Sequence, residues 1–517
     1  MGVQLQKLEG KKLSGRLADD LLAVRKIFLR DAILRVREFH CGGAIDVDCA
    51  AVYFDGMVDS ARLNDSIIRP IINVGVGELS GRQPRDFDVS GGGGRENVAD
   101  LIMRRVLYSN EVAATDDWAK ILRSMMYGDT LLLIDGSKTA LVANTKGWST
   151  RSISEPEDER ILEGPREGFA ESAMVNLSLI RRKLQTPDLC IELTKVGRRT
   201  DTYVYIAYLG SLAPHTSVKN IKRRIENIDI DGILDSNYIA ELISGDRPSL
   251  FRTSGSTERP DVVAARLLEG RIAIVVDGTP MVLTVPYLFS ENFQSDEDYY
   301  QNYLTASVGR ILRYLCFFLS ISLPALYVAM TVFHRRLLPT AFLISLTEAR
   351  VSVPFSSVAE CVGLITVFEI LKEAGVRTQQ GLGTALSIVG GLVVGQAAVE
   401  ARIVSAPMLI VVALSGIAGL MVPRLRAAVF YLRYFLVALS ATLGLYGCLL
   451  GILFVIASIV SKKSFGFDAS SALASLRLEA YKDTLIRAPW RRMRARPPIS
   501  ENEVRMKGED EDEKSEE

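Results

Sequence analysis

Long apolar runs occupy the last part of the chain. Residues 314–333 contain no charged side chain, and a helix of about 20 residues is about 30 Å long, which is enough to cross the hydrocarbon core of a bilayer. Three further uncharged runs, at residues 382–399, 406–422 and 434–460, predict three more membrane spans. This pattern predicts an integral membrane protein with four membrane-spanning helices.

The intervening stretch, residues 337–372, mixes apolar runs with charged residues that are costly in lipid. We expect it either to enter and leave the membrane on one face as a re-entrant hairpin or to add two crossings. The hairpin is favoured, because irregular polar backbone is tolerated at membrane depth only inside protein or along a water-filled cavity.

Ionisable residues within or near membrane helices are candidates for an ion path. The candidates in this chain are Glu348, Arg350, Glu360, Glu369 and Glu400. We expect the glutamates at 360, 369 and 400 to supply cation-attracting rings in an oligomer, and Glu348 to form an internal pair with Arg350. The alternative is that these residues lie in interfacial loops or form structural ion pairs.

Two further features predict how the helices bend and pack. Pro324 lies inside the first span, where it removes a backbone hydrogen bond and should kink the helix, so it is a candidate hinge. Gly391 with Gly395 and Gly447 with Gly451 have the four-residue spacing that lets helix backbones approach closely. Packing within the chain is favoured over an oligomer interface.

The region before the spans contains a repeated pattern. Residues 128–136 (GDTLLLIDG) and 270–278 (GRIAIVVDG) each follow a helical stretch, form an apolar strand that ends in an Asp-Gly turn, and precede a second strand. In each half, an earlier strand leads towards a helix. The pattern predicts the duplication of one small α/β unit, and the continuously apolar strands predict sheets covered by helices.

An amphipathic helix is expected to connect the two units. The sequence GPREGF at residues 164–169 should open it, with Pro165 near its first turn and Glu167 where the helix dipole favours carboxylates. One face of this helix carries Phe169, Ala173, Leu177, Ile180 and Leu184. The candidate hinge or signal-relay residues in this connector are Pro165, Arg166, Glu167 and Phe169.

The predicted fold class is α+β followed by an α-helical membrane domain: a pair of duplicated small α/β subdomains precedes a polytopic helical transmembrane region. The expected domains are a first subdomain with an N-terminal extension and a Gly-rich insertion, a connecting helix, a second subdomain, a transmembrane domain, and a tail that is first basic and then acidic. Their boundaries are residues 1–160, 161–185, 186–305, 306–465 and 466–517.

Composition narrows the function classes. Lys+Arg and Asp+Glu both number 61, so the net charge favours no nucleic-acid partner. The six cysteines share no CxxC spacing and the three histidines are far apart, so neither a disulfide framework nor a metal site is predicted. The glycine run at 91–94 lacks the remainder of a P-loop, and Asp135 and Asp277 stand in turns that use aspartate for backbone reasons. We therefore expect no cofactor, no catalytic residue and no enzyme activity.

Two observations predict the membrane orientation. The N-terminus lacks the apolar core of a cleaved secretory signal, and a basic cluster, APWRRMRARPP, follows the last span. Both termini are therefore expected in the cytoplasm, which requires an even number of crossings.

The chain resembles the A subunit of the GerA-type spore germination receptors. The resemblance runs from about Gly128 to Met493 in family order. The stretches that carry it are GDTLLLIDG, EGPREGFAESAMVNLSLIRRKL, KVGRRTDTYV, NIDIDGILDSNYI, RPDVVAARLLEGRIAIVVDGTP, LTEARVSVPF, EILKEAGVR, SIVGGLVVGQAAVEARIVSAPM and DTLIRAPWRRM.

This resemblance implies a receptor complex in the inner membrane of a dormant spore, with a transporter-like B subunit and a lipoprotein C subunit. The A subunit is expected to be a homo-oligomer, with a pentamer as the expected form, which conducts monovalent cations when the B subunit takes up a germinant. The cytoplasmic subdomains are then expected to relay motion rather than to bind the nutrient. Three alternatives stay open: an accessory ion channel associated with the dipicolinate-release channel, a secondary transporter, and a structural scaffold.

Overall fold

The computed structural model describes residues 11–41, 47–73, 98–109, 111–147, 159, 161, 163–244, 249–377, 393–468, 482–497, 499–501 and 504–505. The chain divides into two compact units. The sheet unit comprises Met1–Gly245, Ser254–Pro286 and Ala495–Lys507, and the helical unit comprises Asp246–Thr253, Tyr287–Arg494 and Gly508–Glu517. The glycine run at 91–94, most of the predicted span 382–399 and the acidic end of the tail lie outside the described residues.

The sheet unit contains two five-stranded antiparallel sheets. The first has the order β1-β2-β4-β5-β3 and consists of β1 (Leu34–Cys41), β2 (Val47–Phe54), β3 (Val112–Thr115), β4 (Thr130–Ile134) and β5 (Ala140–Ala143). The second has the order β6-β7-β9-β10-β8 and consists of β6 (Leu189–Val196), β7 (Thr202–Leu209), β8 (Gly255–Thr257), β9 (Ile272–Val276) and β10 (Val282–Val285). The same strand order in both sheets confirms the predicted duplication.

Helices accompany both sheets. They are α1 (Leu17–Ile27), α2 (Ser60–Leu63), α3 (Arg69–Asn73), α4 (Val98–Arg105), α5 (Trp118–Met126), α6 (Ala173–Lys183), α7 (His215–Glu226), α8 (Ser236–Ser244) and α9 (Pro260–Leu268). A π-helical turn, Asn64–Ile68, joins α2 to α3. The repeated strands β4 and β9 are buried along their whole length, as expected for strands that are covered on both faces.

The Asp-Gly turns hold the first helix of each repeat. The carboxylate of Asp135 accepts a hydrogen bond from the backbone N–H of Leu17, the first residue of α1, at 2.9 Å. Asp277 accepts one from Ala173, the first residue of α6, also at 2.9 Å. Since the first N–H groups of a helix have no partner within the helix, each aspartate satisfies a free donor and places negative charge at the positive end of the dipole.

The connecting helix begins later than predicted. Helix α6 starts at Ala173 rather than at Gly164, because the residues before it bond to the segment that leads into α9. The N–H of Phe169 donates to the carbonyl of Glu258 at 2.7 Å, and the carbonyl of Pro165 accepts from Arg259 at 3.0 Å. These tertiary bonds hold the chain in a non-helical conformation, although all five predicted apolar positions are buried.

Glu167 also differs from its expected role. It pairs with Arg182 and with Lys183, in the second case at 3.2 Å, and both cations lie in the last turn of α6. Glu167 therefore fixes the C-terminal end of the connecting helix and not its N-terminal end. Arg166, next to it, is exposed.

A buried ion pair and two backbone bonds join the repeats. Arg181 of α6 pairs with Asp31 of the α1–β1 turn, and its guanidinium lies 4.3 Å from the ring centre of Phe54. Burial raises the pKa of Asp31 by more than the neighbouring Arg181 lowers it. Next to this pair, the N–H of Ala32 donates to the carbonyl of Ile191 at 2.8 Å, and the N–H of Ile191 donates to Arg30 at 2.8 Å.

Residues 495–507, near the end of the chain, belong to the sheet unit. The N–H of Glu501 donates to the carbonyl of Leu212 at 3.0 Å, and Arg505 pairs at 3.2 Å with Glu269. Arg266 and Arg271 also pair with Glu269. Burial alone would raise the pKa of Glu269, but the three guanidinium groups outweigh it and lower that pKa. The segment that follows the membrane helices thus packs on the second repeat.

The helical unit is built from long apolar helices. They are α10 (Tyr303–Val332), α11 (Thr340–Arg350), α12 (Ser357–Arg377), α13 (Ala406–Leu420), α14 (Arg426–Leu443) and α15 (Leu445–Val460), and residues 393–400 are also helical. Among the described residues, α10 and the stretch Pro423–Leu443 are long and apolar enough to cross a membrane, while α13 and α15 are shorter apolar helices. The stretch 337–372 forms α11 and most of α12, joined by a turn at 351–356.

The predicted span at 434–460 is divided in the structure. Helix α14 ends at Leu443 and α15 begins at Leu445, because Gly444 has a φ of 62°, a conformation that L-residues rarely adopt. Atoms of Phe333 and His334 lie within 3.0 Å of the position that a Cβ at Gly444 would occupy. After this break, Gly451 lets α15 pack against Leu436 of α14, in line with the favoured packing within the chain.

Large apolar side chains cover the outside of the helical unit. They are 37–72% exposed on α10, α13 and α15. Examples are Leu315, Phe318, Ile410, Leu414, Tyr446 and Leu453. A water-facing surface of this extent is unusual for a monomeric soluble protein, so these faces favour contact with lipid or with other membrane helices.

We predict that the two repeated aspartates are helix caps of equal importance. Asp135→Ala and Asp277→Ala should each destabilise the helix that they cap by about 1 kcal/mol, because one N–H donor loses its acceptor. Hydrogen–deuterium exchange of the full-length protein should show faster exchange in the first turn of α1 and of α6, respectively.

The matched control is Asp→Asn at each position, which keeps a side-chain oxygen and should show the smaller effect. Unchanged exchange in α6 of the Asp277→Ala variant would contradict the capping role.

Candidate functional site

One buried arginine joins four helices of the helical unit. Arg433 of α14 is 1% exposed. Its Nε donates to the carbonyl of Ser320 in α10 at 2.9 Å, and its Nη2 donates to the carbonyl of Ser415 in α13 at 3.2 Å. Its Nη1 donates to the carboxylate of Glu369 in α12 at 3.2 Å. The guanidinium therefore bonds one group on each of three neighbouring helices.

Pro324 accounts for the bond to Ser320. A proline has no N–H, so the carbonyl four residues before it loses its usual helical donor. That carbonyl belongs to Ser320, and Nε of Arg433 takes the place of the missing N–H. The α-helix is continuous through Pro324, and the predicted hinge position is cross-linked to α14.

Glu369 pairs with two cations of the same chain. Besides Arg433, the ammonium of Lys372, one turn later on α12, pairs with its second carboxylate oxygen. The Glu369 side chain is 14% exposed. Two positive charges therefore neutralise this carboxylate locally. This arrangement fits the alternative that Glu369 forms a structural ion pair rather than part of an ion path.

The side chain of Glu360, on α12, lies at the N-terminal end of α13. Its Oε1 accepts hydrogen bonds from the N–H and the hydroxyl of Ser405, both at 2.5 Å, and Ser405 is the residue before α13. The Glu360 side chain is buried, and its second oxygen lies 3.9 Å from Nε of Arg350. A carboxylate at this position is stabilised by the helix dipole and by the guanidinium.

The expected pair of Glu348 with Arg350 is not formed. Arg350 faces Glu360 and donates to the hydroxyl of Ser357, while Glu348 is exposed and has no ion pair within the part of the chain that the structure describes. Residues two apart on a helix point to different faces, which explains the difference. Glu400 is also exposed, and it accepts a hydrogen bond from Gln396 at 2.8 Å.

A second charged cluster, at the start of α10, was missed by the sequence reasoning. Arg310 is buried and bonds to Asp298 at 2.8 Å and to the side chain of Asp483 at 2.9 Å, while Arg313 bonds to Asp298 at 2.9 Å. The predicted span began at Tyr314, but the helix begins at Tyr303. Arg433 was missed for the same reason, since it immediately precedes the predicted span 434–460. In both cases the sequence showed an arginine next to an uncharged run, which could have indicated a buried arginine.

No metal centre is visible among the described residues, since no group of three or more His, Cys, Asp or Glu side chains lies close enough to hold an ion. The charged groups of the helical unit are instead arranged as guanidinium–carboxylate pairs. This chemistry fixes helices relative to one another. Of the exposed glutamates on the described helices of this unit, Glu373 pairs with Arg377 and Arg426, whereas Glu348 and Glu400 form no ion pair with a described residue.

Comparison with known proteins gives consistent matches over the whole chain. The family described as Bacillus/Clostridium GerA spore germination protein matches residues 23–499. Spore germination protein KA of Bacillus subtilis (strain 168) is 38% identical over 510 residues, covering 98% of this chain and 91% of that protein. Uncharacterized membrane protein YfkQ of the same organism is 36% identical over 497 residues, covering 96% and 93%.

A solved structure is also similar to this chain. It is the crystal structure of the N-terminal domain of the A subunit of the Bacillus megaterium spore germinant receptor GerK3, with 34% identity and a TM-score of 0.41. The match covers 54% of this chain and 98% of that one.

We predict that Arg433 is required for the stability of the helical unit. Arg433→Ala should lower its free energy of unfolding by about 3–5 kcal/mol, because the change leaves a buried carboxylate with one partner fewer and two buried carbonyls without this donor. The measurement is the thermal unfolding of the full-length protein in detergent micelles, where the Tm should fall.

Arg426→Ala is the matched control on the same helix. Arg426 is exposed and pairs with Glu373 at 2.8 Å, and an exposed pair contributes at most about 1 kcal/mol. Equal unfolding temperatures for the two variants would contradict the role given to Arg433.

Proposed function

Because the chain belongs to the Bacillus/Clostridium GerA spore germination protein family, we propose that it is the A subunit of a nutrient germinant receptor that triggers spore germination. The observation that carries this proposal is the family match over residues 23–499. Family membership also agrees with the prediction that the chain is not an enzyme.

The proposed assembly follows the resemblance stated for the sequence. The chain acts with a transporter-like B subunit, which takes up the germinant, and with a lipoprotein C subunit, in the inner membrane of the spore. It forms a homo-oligomer, a pentamer in the expected form, and it conducts monovalent cations when the receptor is triggered.

The membership of residues 495–507 in the sheet unit supports the proposed topology. The sheet unit holds chain from before and from after the membrane helices, which supports a topology with both parts on the same side of the membrane and an even number of crossings. The basic cluster after the last helix favours the cytoplasm as that side. Two helices long enough to span and two shorter apolar helices are compatible with this arrangement.

The five ion-path candidates now differ in what supports them. Glu360, Glu369 and Arg350 take part in bonds inside one protomer, whereas Glu348 and Glu400 are exposed on it. An exposed carboxylate is costly against lipid, which favours an oligomer in which these two side chains face water or a neighbouring subunit. We therefore assign the cation-attracting role first to Glu348 and Glu400.

The relay role is proposed for the connector and for Pro324. Pro165 and Phe169 bond to the segment before α9, and Glu167 holds the last turn of α6. These bonds tie the connector both to α6 and to the segment before α9, so a shift of either element would be transmitted to the connector. Pro324 is the corresponding point in the helical unit. It leaves the Ser320 carbonyl without its helical donor, and Arg433 of α14 donates to that carbonyl instead.

The test is cation current through the purified full-length protein in liposomes. The wild-type oligomer should conduct monovalent cations, and Glu348→Gln and Glu400→Gln should each reduce the current several-fold while leaving the Tm in detergent unchanged, because neither side chain forms an ion pair with a residue that the structure describes. Glu369→Gln should lower both current and Tm.

Gln396→Ala is the matched control, since it removes only the bond to Glu400 and keeps the charge. No current in any oligomeric form would overturn the channel proposal but leave family membership intact. Genes for B and C subunits beside this one favour the receptor, whereas neighbouring genes for the dipicolinate-release channel favour the accessory channel.

A further inference from the structure

An open pocket lies in the sheet unit where the two repeats meet. It has a volume of about 850 Å³ and is lined by the α1–β1 turn of the first repeat and by β6, β7 and α7 of the second. On α7 the lining residues are His215, Val218, Lys219 and Lys222, whose spacing places them on one face of the helix. The pocket is separate from the charged network of the helical unit.

The charge of this pocket is positive. Arg30, Lys219 and Lys222 line it, and the acidic lining residues are Glu192 and Asp31. Asp31 is neutralised by its buried pair with Arg181. Glu192 is therefore the single carboxylate that faces three cations.

Glu192 is already satisfied by bonds within the pocket. It accepts a hydrogen bond from the Tyr208 hydroxyl at 2.7 Å and one from the Lys222 ammonium at 2.5 Å, and Arg30 donates to Tyr208 at 3.3 Å. Burial would raise the pKa of Glu192, but the bonds from Lys222 and Tyr208 outweigh it and lower that pKa. Glu192 thus stays ionised and fixes Tyr208 and Lys222.

Arg30 and Lys219 retain N–H donors that no described residue uses. Arg30 uses a single guanidinium N–H on Tyr208, and Lys219 is exposed and makes no hydrogen bond or ion pair to any residue that the structure describes. Arg30 belongs to the first repeat and Lys219 to the second, so a group between them would contact both repeats. Next to them, Leu29 is 78% exposed and Leu193 42% exposed, which gives the same pocket an apolar rim.

We propose that this pocket binds a small organic anion, whose carboxylate or phosphate group is held by Arg30 and Lys219. Guanidinium and ammonium groups form charge-assisted hydrogen bonds with carboxylates and phosphates. The apolar rim fits a ligand with a hydrocarbon part. The anion bridges the two repeats beside the bonds between Ala32 and Ile191, so it stabilises their present arrangement. This ligand is distinct from the nutrient, which the B subunit is proposed to take up.

The test is binding of defined anions to the full-length protein in detergent. Sodium citrate and inorganic phosphate are titrated against sodium chloride at equal ionic strength, and the Tm and the heat of binding are recorded. A ligand that binds only the folded state raises the Tm in a saturable manner. Arg30→Gln and Lys219→Gln should each weaken binding of the better probe at least tenfold.

Lys120→Gln is the matched control, since Lys120 is an exposed lysine of α5 outside the pocket, and this variant should bind the anions like the wild type.

Dihexanoyl phosphatidic acid and dihexanoyl phosphatidylcholine form a second arm of the experiment. Saturable binding of the phosphatidic acid alone, lost in Lys219→Gln, supports the site and identifies a lipid headgroup as its source. Effects equal to those of sodium chloride, or equal in the wild type and both pocket variants, would overturn the proposal. Channel current plays no part in this readout, so its absence leaves the pocket proposal untouched.

Discussion

The helical unit depends on the need to satisfy one guanidinium in an apolar interior. A buried unpaired charge costs several kcal/mol, so Arg433 can stay buried only where enough acceptors converge on it. The structure supplies a carboxylate from α12 and backbone carbonyls from α10 and α13. One of these carbonyls is free because Pro324 lacks an N–H. A residue that weakens one helix thus provides the acceptor that ties another helix to it.

The sheet unit obeys the same constraint with other groups. Its repeats meet at a buried Arg181–Asp31 pair. In each repeat, the turn between the two hairpin strands (β4–β5 or β9–β10) contains an aspartate that accepts a hydrogen bond from the first N–H of a helix. The duplication preserved the caps but not the ion pair. The pair exists once because it lies where one repeat contacts the other, and a contact between two copies has no counterpart within either copy.

Local pattern was enough to predict the repeats, since an apolar strand followed by Asp-Gly specifies a hairpin whatever surrounds it. It was not enough to place the start of α6, because Phe169 donates to the Glu258 carbonyl and Arg259 donates to the Pro165 carbonyl, and these bonds override the helical signal of Pro165. It also missed the break at Gly444, because an uncharged run says nothing about φ. Arg433 and Arg310 were missed because an arginine beside an apolar run looks like the end of a span. Only the structure shows that hydrogen-bond and ion-pair partners from other segments allow each of these arginines to be buried.

The distribution of carboxylates in the helical unit limits which of them could serve the proposed conduction of cations. A carboxylate that holds two helices together, as Glu369 does, cannot exchange its partner for a passing cation without weakening the contact between α12 and α14. A carboxylate such as Glu348, with no partner among the described residues, has no such structural cost. Membrane proteins keep exposed ionisable groups only where water or another subunit meets them. In the proposed oligomer, the exposed Glu348 and Glu400 are therefore the carboxylates that water or a neighbouring subunit would meet, while Glu360 and Glu369 hold the helices of one chain together.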